Sequence, residues 1–419
     1  MHNHRAMLAA MDHRIRPYDE ALDLDAVTRI WLEVGWLTSI DKKPALKASL
    51  AAANTEVGLL DDEAECMVQW APGSIRYQST DLPLCAVTAV TTSTIGRKQG
   101  FASTMTTRAL DQSAAAGCAV AALGIFEQGF YDRLGFAIAD YDHQLSFDPT
   151  SLLIDHIPYR PPVRLSAGDW AEMHKAMAQR KLSHGAVVLD PPGLTKGEIL
   201  SRDNPLALGY RDDNGTLTHF FFGQSSGEYG PLKIHALAYQ SSGQLLELLR
   251  LLYELGDQIR SVRIIEPAHV QLQALLRNPM REIERSARSE HESFNHSVAW
   301  WQLRILDVEA CVAARSWVGE PVRFNLTLTD PIEDRLTGDW RGTAGEYTIE
   351  IGAVSAASAG HQSGLPTMSA DVGSFTRLWF GVRPPSVVAA TDSIDAPDNL
   401  LAALDEALIL PKLLPGWLF

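Results

Sequence analysis

The N-terminal third of the chain is patterned first as helices and then as strands. Apolar residues at helical spacing predict amphipathic helices over 26–37 and 44–53, ahead of short stretches that alternate like strands. A β-branched, apolar run over 84–92 predicts a strand, and a helix with apolar positions at helical spacing is predicted after residue 101. This pattern stops near Pro149.

The middle third predicts a similar order of elements. A helix over 167–180 is followed by a hairpin whose turn contains Gly215. A strand over 232–239, a strongly apolar helix over 244–255 and a strand over 261–265 complete the segment. Because helix, hairpin, strand, helix and strand follow one another as in the first segment, we predict a second copy of one fold.

The last third has a different texture. Alternating residues over 324–329 and 346–351 predict a meander of antiparallel strands, and helices are predicted over 372–380 and 399–408. A chain of 419 residues exceeds what one hydrophobic core usually serves. We therefore predict mixed sheets of the α+β class in three domains: 1–150, 151–297 and 298–419.

Composition narrows the possible partners. The formal net charge of −15 disfavours DNA or RNA, which bind clustered Lys and Arg, and favours a cationic small molecule. No apolar run approaches the ~20 residues of a membrane span, so we expect a cytoplasmic protein. The four cysteines form no CxxC pair, and we predict neither a disulfide framework nor a metal site.

The most informative stretch follows the predicted strand at 84–92. A short loop carries Arg97, Lys98 and Gly100 and leads directly into a helix. Exposed amides and the positive end of a helix dipole attract phosphate groups, and glycine lets the backbone approach them closely. The loop matches neither the Walker pattern nor the dinucleotide-binding pattern of glycines. The loop therefore predicts a pyrophosphate site that belongs to neither of these two classes.

Two motifs give this site a more specific interpretation. Arg97-x-x-Gly100-x-Ala102 resembles the acetyl-CoA signature of the GNAT acetyltransferase superfamily, and residues 131–136 resemble the turn that closes the same fold. The resemblance implies acetyl-CoA as cosubstrate, with Tyr131 giving its proton to the departing thiolate. A phenol with a pKa near ~10 can do so without ionising at neutral pH.

The same resemblance implies a role for each cofactor-binding segment. The edge of the strand would pair with the pantetheine amides, the loop would hold the pyrophosphate, and the residues after the next strand would line the far wall. Many members of the family have Ser at the position of Phe126, so this chain lacks that side-chain hydrogen bond. The implied residues are Val90, Thr91 and Thr92, then Arg97, Lys98, Gln99, Gly100, Phe101, Ala102 and Ser103, and finally Phe126 and Glu127.

The whole chain also resembles a narrower group, the enhanced intracellular survival (Eis) acetyltransferases. Besides the two motifs, residues 371–381 look like the helix of a sterol-carrier domain. The resemblance implies tandem GNAT-like domains, the second without cofactor, followed by a sterol-carrier-like domain, and it implies a homohexamer. In that family the terminal carboxylate enters the active site as general base, which here would be that of Phe419.

The acceptor is predicted only as a class. The family implies an amine-bearing small molecule such as an aminoglycoside or polyamine, or a lysine side chain, and the sequence does not choose among them. Trp31, Trp36, Asp25 and Glu33 are candidate acceptor contacts, because aromatic and acidic side chains together hold ammonium groups. The alternative is a lipid carrier or scaffold in which the sterol-carrier-like segment is the working part.

Overall fold

A computed structural model describes residues 14–417. Its strands are β1 (Ile15–Pro17), β2 (Asn54–Leu60), β3 (Glu63–Tyr77), β4 (Thr80–Thr92), β5 (Val120–Gly124), β6 (Ala137–Ile138), β7 (Asp142–Phe147), β8 (Val163–Leu165), β9 (Val187–Leu189), β10 (Pro205–Arg211), β11 (Leu217–Ser225), β12 (Leu232–Ala238), β13 (Val262–Ile265), β14 (Phe294–Val298), β15 (Trp301–Ile305), β16 (Val322–Thr329), β17 (Gly345–Ile351), β18 (Ala356–Ala359), β19 (Thr367–Asp371) and β20 (Ile394–Asp395).

The described α-helices connect these strands and cover the sheets. They are α1 (Glu20–Glu33), α2 (Lys43–Leu50), α3 (Phe101–Ala115), α4 (Gln128–Asp132), α5 (Trp170–Ala178), α6 (Pro192–Ser201), α7 (Ser242–Glu254), α8 (Pro279–Ser286), α9 (Val308–Ala313), α10 (Val372–Trp379), α11 (Pro385–Thr391) and α12 (Asp398–Ala407).

The first sheet has the order β1-β2-β3-β4-β5-β15-β6, with β9 added to the far end of β3. Among the described strands of this sheet, β4 and β5 run parallel and the other pairs are antiparallel. A parallel pair needs a crossover, and α3 provides it. Its apolar face, with Phe101, Met105 and Leu110, is buried against the sheet.

The second sheet has the order β14-β7-β13-β12-β11-β10-β8. Here β12 and β13 are the parallel pair, and α7 is the crossover between them. In each sheet, the first strand of the parallel pair is thus followed by a helix that leads to the second strand. This shared order of strand, helix and strand confirms the predicted repeat of one fold.

The two repeats exchange strands. β7, which precedes the second repeat in the chain, pairs with β13 and β14 in the second sheet. β15, which follows the second repeat, pairs with β5 and β6 in the first sheet. Each sheet therefore contains a strand from outside its own repeat. These exchanged strands hold the two sheets in a fixed position relative to each other.

The third domain combines a mixed sheet, of order β18-β17-β16-β19-β20, with helices α9 to α12. The predicted antiparallel meander is confirmed for β16, β17 and β18, and β19 then joins β16 in parallel. Large side chains fill its interior: Phe324, Phe375 and Trp379 are fully buried, and the Phe375 and Trp379 rings stack at 5.6 Å.

A buried ion pair connects the third domain to the first. Arg304 on β15 donates from Nη2 to Asp330 Oδ2 at 2.5 Å, and both side chains are fully buried. Arg304 also donates to the carbonyl of Leu134. Gly135 has a positive φ of 79°, and a Cβ there would lie 1.9 Å from Nη1 of Arg304. The glycine of the second motif is therefore required by this guanidinium as well as by its turn.

Candidate functional site

The parallel strands β4 and β5 separate at their carboxyl ends. Their register runs from Leu84 opposite Val120 to Val87 opposite Leu123 and then stops. On its other side β4 pairs with β3 to its last residue, through a bulge at Thr88, where Gln69 faces Ala89 and Trp70 faces Val87. A bulge bends its strand. Beyond it, no described strand pairs with the β4 edge over 88–92 on the β5 side, and we call the gap between the two strands the cleft.

The predicted binding strand edge and loop adjoin in the structure. Val90 and Thr92 are half-buried and Thr91 is 4% exposed. Their strand leads into the loop, in which Arg97, Lys98, Gln99 and Gly100 are all exposed. Strand edge and loop therefore form a continuous surface that ends in cationic side chains.

The loop leads into α3, and no side chain caps the first backbone amides of this helix. Lys98 and Gly100 both have positive φ, at 62° and 88°, and backbone amides in turns of this kind can form a concave anion site. Gly100 is the N-cap and supplies no capping side chain. The first helical residues, Phe101, Ala102 and Ser103, follow it. The positive end of the helix dipole and two exposed cations thus meet at one place, which suits a diphosphate.

The corresponding position of the second repeat is closed. Ser241 is the N-cap of α7, and its hydroxyl accepts from the amide of Gln244 at 3.3 Å. The Gln244 side chain accepts from the amide of Gln240 at 2.6 Å. These amides are satisfied within the chain, so this helix end offers little to an anion.

Tyr131 lies in α4, directly after the far wall of the cleft. It is 6% exposed and packs edge-on against Phe130, with ring centroids 4.9 Å apart, and against Phe136 at 6.2 Å. Within residues 14–417 the structure shows no hydrogen bond of its hydroxyl. Burial, with smaller contributions from Cys66 and Glu127, raises the pKa of Tyr131 to about 12. The phenol therefore remains a proton donor at physiological pH.

The far wall itself consists of the turn between β5 and α4. Phe126 is 84% exposed and Glu127 is also exposed. The amide of Ile125 donates to the carbonyl of Trp300 at 2.7 Å, which ties this wall to the chain entering β15. Phe126 thus presents an apolar ring at the rim of the cleft.

A cavity of about 490 Å³ lies beside the bulge at Thr88. The first repeat contributes Trp31, Trp36 and Thr88, and the second repeat contributes Phe220 and Phe222. Its volume lies in the range of small-molecule sites. Since Thr88 adjoins the strand edge that lines the cleft, this cavity approaches the cleft at the point where β4 and β5 part. We call it the acceptor cavity.

The C-terminal segment reaches the acceptor cavity. The amide of Val187 donates to the carbonyl of Pro415 at 2.9 Å, and Arg180 donates to the same carbonyl at 2.9 Å. Trp417 is 9% exposed, lies beneath the guanidinium of Arg180 at 5.4 Å and lines the cavity. Phe419, the predicted general base, lies outside the described residues.

Comparison with known proteins assigns two of the domains. The family described as an acetyltransferase (GNAT) domain matches residues 15–139, and the sterol carrier protein domain family matches residues 308–414. The N-terminal domain is a GNAT acetyltransferase domain. The predictions of an N-acetyltransferase and of a sterol-carrier-like third domain are confirmed at this level. Among curated proteins, no sequence matched significantly.

Solved structures share the fold of this chain over nearly its whole length. Eis1 from Mycobacterium abscessus is 17% identical, with a TM-score of 0.73, and the match covers 97% of this chain and 100% of that one. A GCN5-related N-acetyltransferase from Anabaena variabilis ATCC 29413 is 16% identical, with a TM-score of 0.75 and the same coverages. A probable N-acyltransferase from Enterococcus faecalis V583 is 14% identical, with a TM-score of 0.74 and coverages of 95% and 97%. At these identities the likeness is one of fold alone, and it agrees with the predicted fold class.

The candidate acceptor contacts divide into two groups. Trp31 and Trp36 line the acceptor cavity, with ring centroids 5.2 Å apart. Asp25 does not line this cavity. Its carboxylate is 92% exposed and pairs with Lys43. Glu33 accepts from the amide of Thr94 at 2.5 Å, and hydrogen bonding from the Thr94 side chain, together with this amide, lowers the pKa of Glu33. Glu33 therefore supports the loop that carries Arg97.

Sequence reasoning missed the residues that the second repeat supplies to the acceptor cavity. Met173, Phe220 and Phe222 read as ordinary core positions, and nothing in their spacing indicates that they face another domain. Thr88 lies within an uninterrupted strand pattern, so its bulge was also unforeseen. Among residues 14–417, no helix is long and apolar enough to cross a membrane, and no three metal-ligating side chains gather at one point.

Proposed function

We propose that the protein transfers the acetyl group of acetyl-CoA directly to a primary amine. The observation that carries this proposal is the cleft where β4 parts from β5, with the uncapped α3 and its cations at one end and Tyr131 in its wall. Acetyl-CoA supplies an activated thioester. Its diphosphate suits the amides of residues 98–103 together with Arg97 and Lys98.

Each remaining role falls to a group of this chain. An amide of the strand edge over Val90, Thr91 and Thr92 stabilises the oxyanion that forms when the amine nitrogen attacks the thioester carbon. The carbon–sulfur bond then breaks, and Tyr131 gives its proton to the sulfur. The proton lost by the attacking nitrogen passes, through water, to the terminal carboxylate of Phe419. Phe126 and Glu127 border the pantetheine channel.

Calorimetry with coenzyme A tests the phosphate site. Replacing Arg97 and Lys98 together with alanine is expected to weaken binding about tenfold, because two cations that face the diphosphate are lost. The loss should shrink at high salt, since these side chains are exposed.

Lys233→Ala is the matched control, because this exposed lysine lies on β12, the counterpart of β4. It should leave the affinity for coenzyme A unchanged. An absence of coenzyme A binding by the unaltered protein would contradict the proposed activity itself.

Deletion of Phe419 tests the terminal carboxylate. We expect kcat to fall at least about tenfold, because the deletion moves the carboxylate back by one residue. The affinity for coenzyme A should not change. Phe419→Leu keeps a carboxylate at the same chain position and should lose much less activity. Full activity after the deletion would refute the role of Phe419 as base.

The alternative, a lipid carrier, has less support. The interior of the third domain is occupied by Phe324, Phe375 and Trp379. The tyrosine hydroxyl of Tyr77 on β3 donates to the carbonyl of Trp379 at 2.9 Å, so this domain also braces the first sheet. The homohexamer stays a prediction, and aminoglycosides, polyamines and lysine side chains stay the acceptors that the family implies.

A further inference from the structure

The walls of the acceptor cavity are mainly apolar and aromatic. Tryptophans from separate segments meet there, since Trp31 and Trp36 follow one another around the end of α1 and Trp417 belongs to the C-terminal segment. The second repeat adds thioether and phenyl side chains, among them Met173, Phe220 and Phe222. Such walls favour a ligand with an apolar body, because its burial removes apolar surface from water.

Few charged side chains line the acceptor cavity, and each of them already forms an ion pair. Among the lining residues that the structure describes, Glu198 is the carboxylate, and both Nε and Nη2 of Arg202 donate to it. Lys42 also lines the cavity and pairs with Asp203 at 2.6 Å. Two cations and one carboxylate therefore border the cavity. A ligand with several ammonium groups would meet no free carboxylate there.

The polar side chains beside the bulge are satisfied by one another. Gln69 is 1% exposed, and its amide donates to the carbonyl of Ser49 and to Thr55. Its amide oxygen accepts from the hydroxyls of Ser49 at 2.9 Å and Thr88 at 3.1 Å. This closed network leaves few acceptors for additional ammonium groups.

We infer that the acceptor is a primary amine with a single ammonium group on an apolar, aromatic-sized body. This inference rests on the proposed function and narrows its substrate class. The reactive nitrogen points toward Thr88 and the end of the β4–β5 pairing, and the apolar body lies between Trp36 and Phe222. The net charge of −15, which favoured a polycation at the level of composition, is carried by other surfaces of the molecule.

The single charge of such a ligand matches what the cavity offers. Trp31 and Trp36 both line the cavity, and indole rings attract an ammonium group. Burial, together with the charges of Arg202 and Lys233, lowers the pKa of His235 to about 4, so this lining side chain is neutral at physiological pH.

Two measurements on the full chain test the inference. Thiol release from acetyl-CoA is followed with 2-phenylethylamine and with spermidine, and binding of each amine is followed by tryptophan fluorescence, because three tryptophans line the cavity. We expect kcat/KM for 2-phenylethylamine to exceed that for spermidine at least about tenfold, with the same order of affinities. Equal or greater values for spermidine would overturn the inference.

A charge variant sharpens the comparison. Arg202→Gln removes a cation and frees Glu198, so it should raise kcat/KM for spermidine about fivefold and change the value for 2-phenylethylamine less. Asp25→Asn is the control, because Asp25 lies outside the cavity and should leave the ratio unchanged. A drop in the ratio with Asp25→Asn alone would place recognition on α1 and contradict the inference.

The two proposals fail separately. If calorimetry detects no coenzyme A binding, the proposed function fails, and the fluorescence titration still decides which amine the cavity accepts. If coenzyme A binds and spermidine is the better ligand by fluorescence or turnover, the activity stands and the inferred substrate class is wrong.

Discussion

Replacing Tyr131 with phenylalanine is expected to lower kcat at least about a hundredfold, the loss typical of a missing general acid. The substitution removes one hydroxyl and keeps the ring that packs between Phe130 and Phe136. Because the structure shows no hydrogen bond of that hydroxyl among residues 14–417, its removal breaks no described hydrogen bond. Folding and coenzyme A affinity should therefore remain, and the loss should appear in kcat.

Tyr141→Phe is the matched control. Tyr141 is 46% exposed and lies under Arg383, away from the cleft, so its variant should keep full activity. An unchanged kcat in Tyr131→Phe, measured by thiol release at saturating substrates, would show that another group or water protonates the sulfur.

The pKa of Tyr131 also sets an expectation for alkaline solution. Burial raises this pKa to about 12, so the protonated, active form persists above the ordinary phenol value near ~10. The rate should therefore show no decline from tyrosine ionisation below about pH 11. A decline centred near pH 10 would assign the proton to a less buried phenol.

Replacing Asp330 with alanine is expected to destabilise the protein by about 3–5 kcal/mol, the usual cost of breaking a buried ion pair. The variant leaves the Arg304 guanidinium uncompensated in the interior. It also removes the acceptor for the amide and hydroxyl of Thr343, both at 3.0 Å. Thermal unfolding followed by circular dichroism should show a midpoint several degrees lower.

Two comparisons identify the cause of that loss. Asp334→Ala removes an exposed carboxylate four residues away and should stay within about 0.5 kcal/mol of the parent. Asp330→Ala combined with Arg304→Met removes both charges and should be more stable than Asp330→Ala alone. A double variant that is less stable than the single one would contradict the ion-pair explanation.

Low pH should also weaken the ion pair between Asp330 and Arg304 and so reduce the stability of the protein. Burial by itself would raise the pKa of Asp330, but the charge and hydrogen bonds of Arg304 outweigh it, and the pKa is lowered. A lowered pKa contributes stability that is fully present above the ordinary carboxyl range and is lost as the pH falls through the lowered value. In Asp330→Ala this acid-dependent contribution should be missing.

The elements of the fold follow closely from sequence pattern. The predicted strand at 84–92 is the end of β4, and the predicted helices at 244–255 and 372–380 are α7 and α10 within two residues at each end. Periodicity finds such elements because each buries one face against a sheet. The loop from Arg97 to Gly100 was also found, since glycine and cations before a helix are local features.

What the sequence alone determined is therefore local: a helix start behind a cationic, glycine-containing loop, a tyrosine in the turn after a strand, and three successive units of structure. Only the tertiary structure decided that β7 and β15 change places between sheets, that Thr88 forms a bulge, and that Phe222 and Trp417 face the same cavity as Trp31. These contacts join residues far apart in the chain. Strand pairing and domain packing depend on surfaces from several segments at once, and no periodicity within one segment records them.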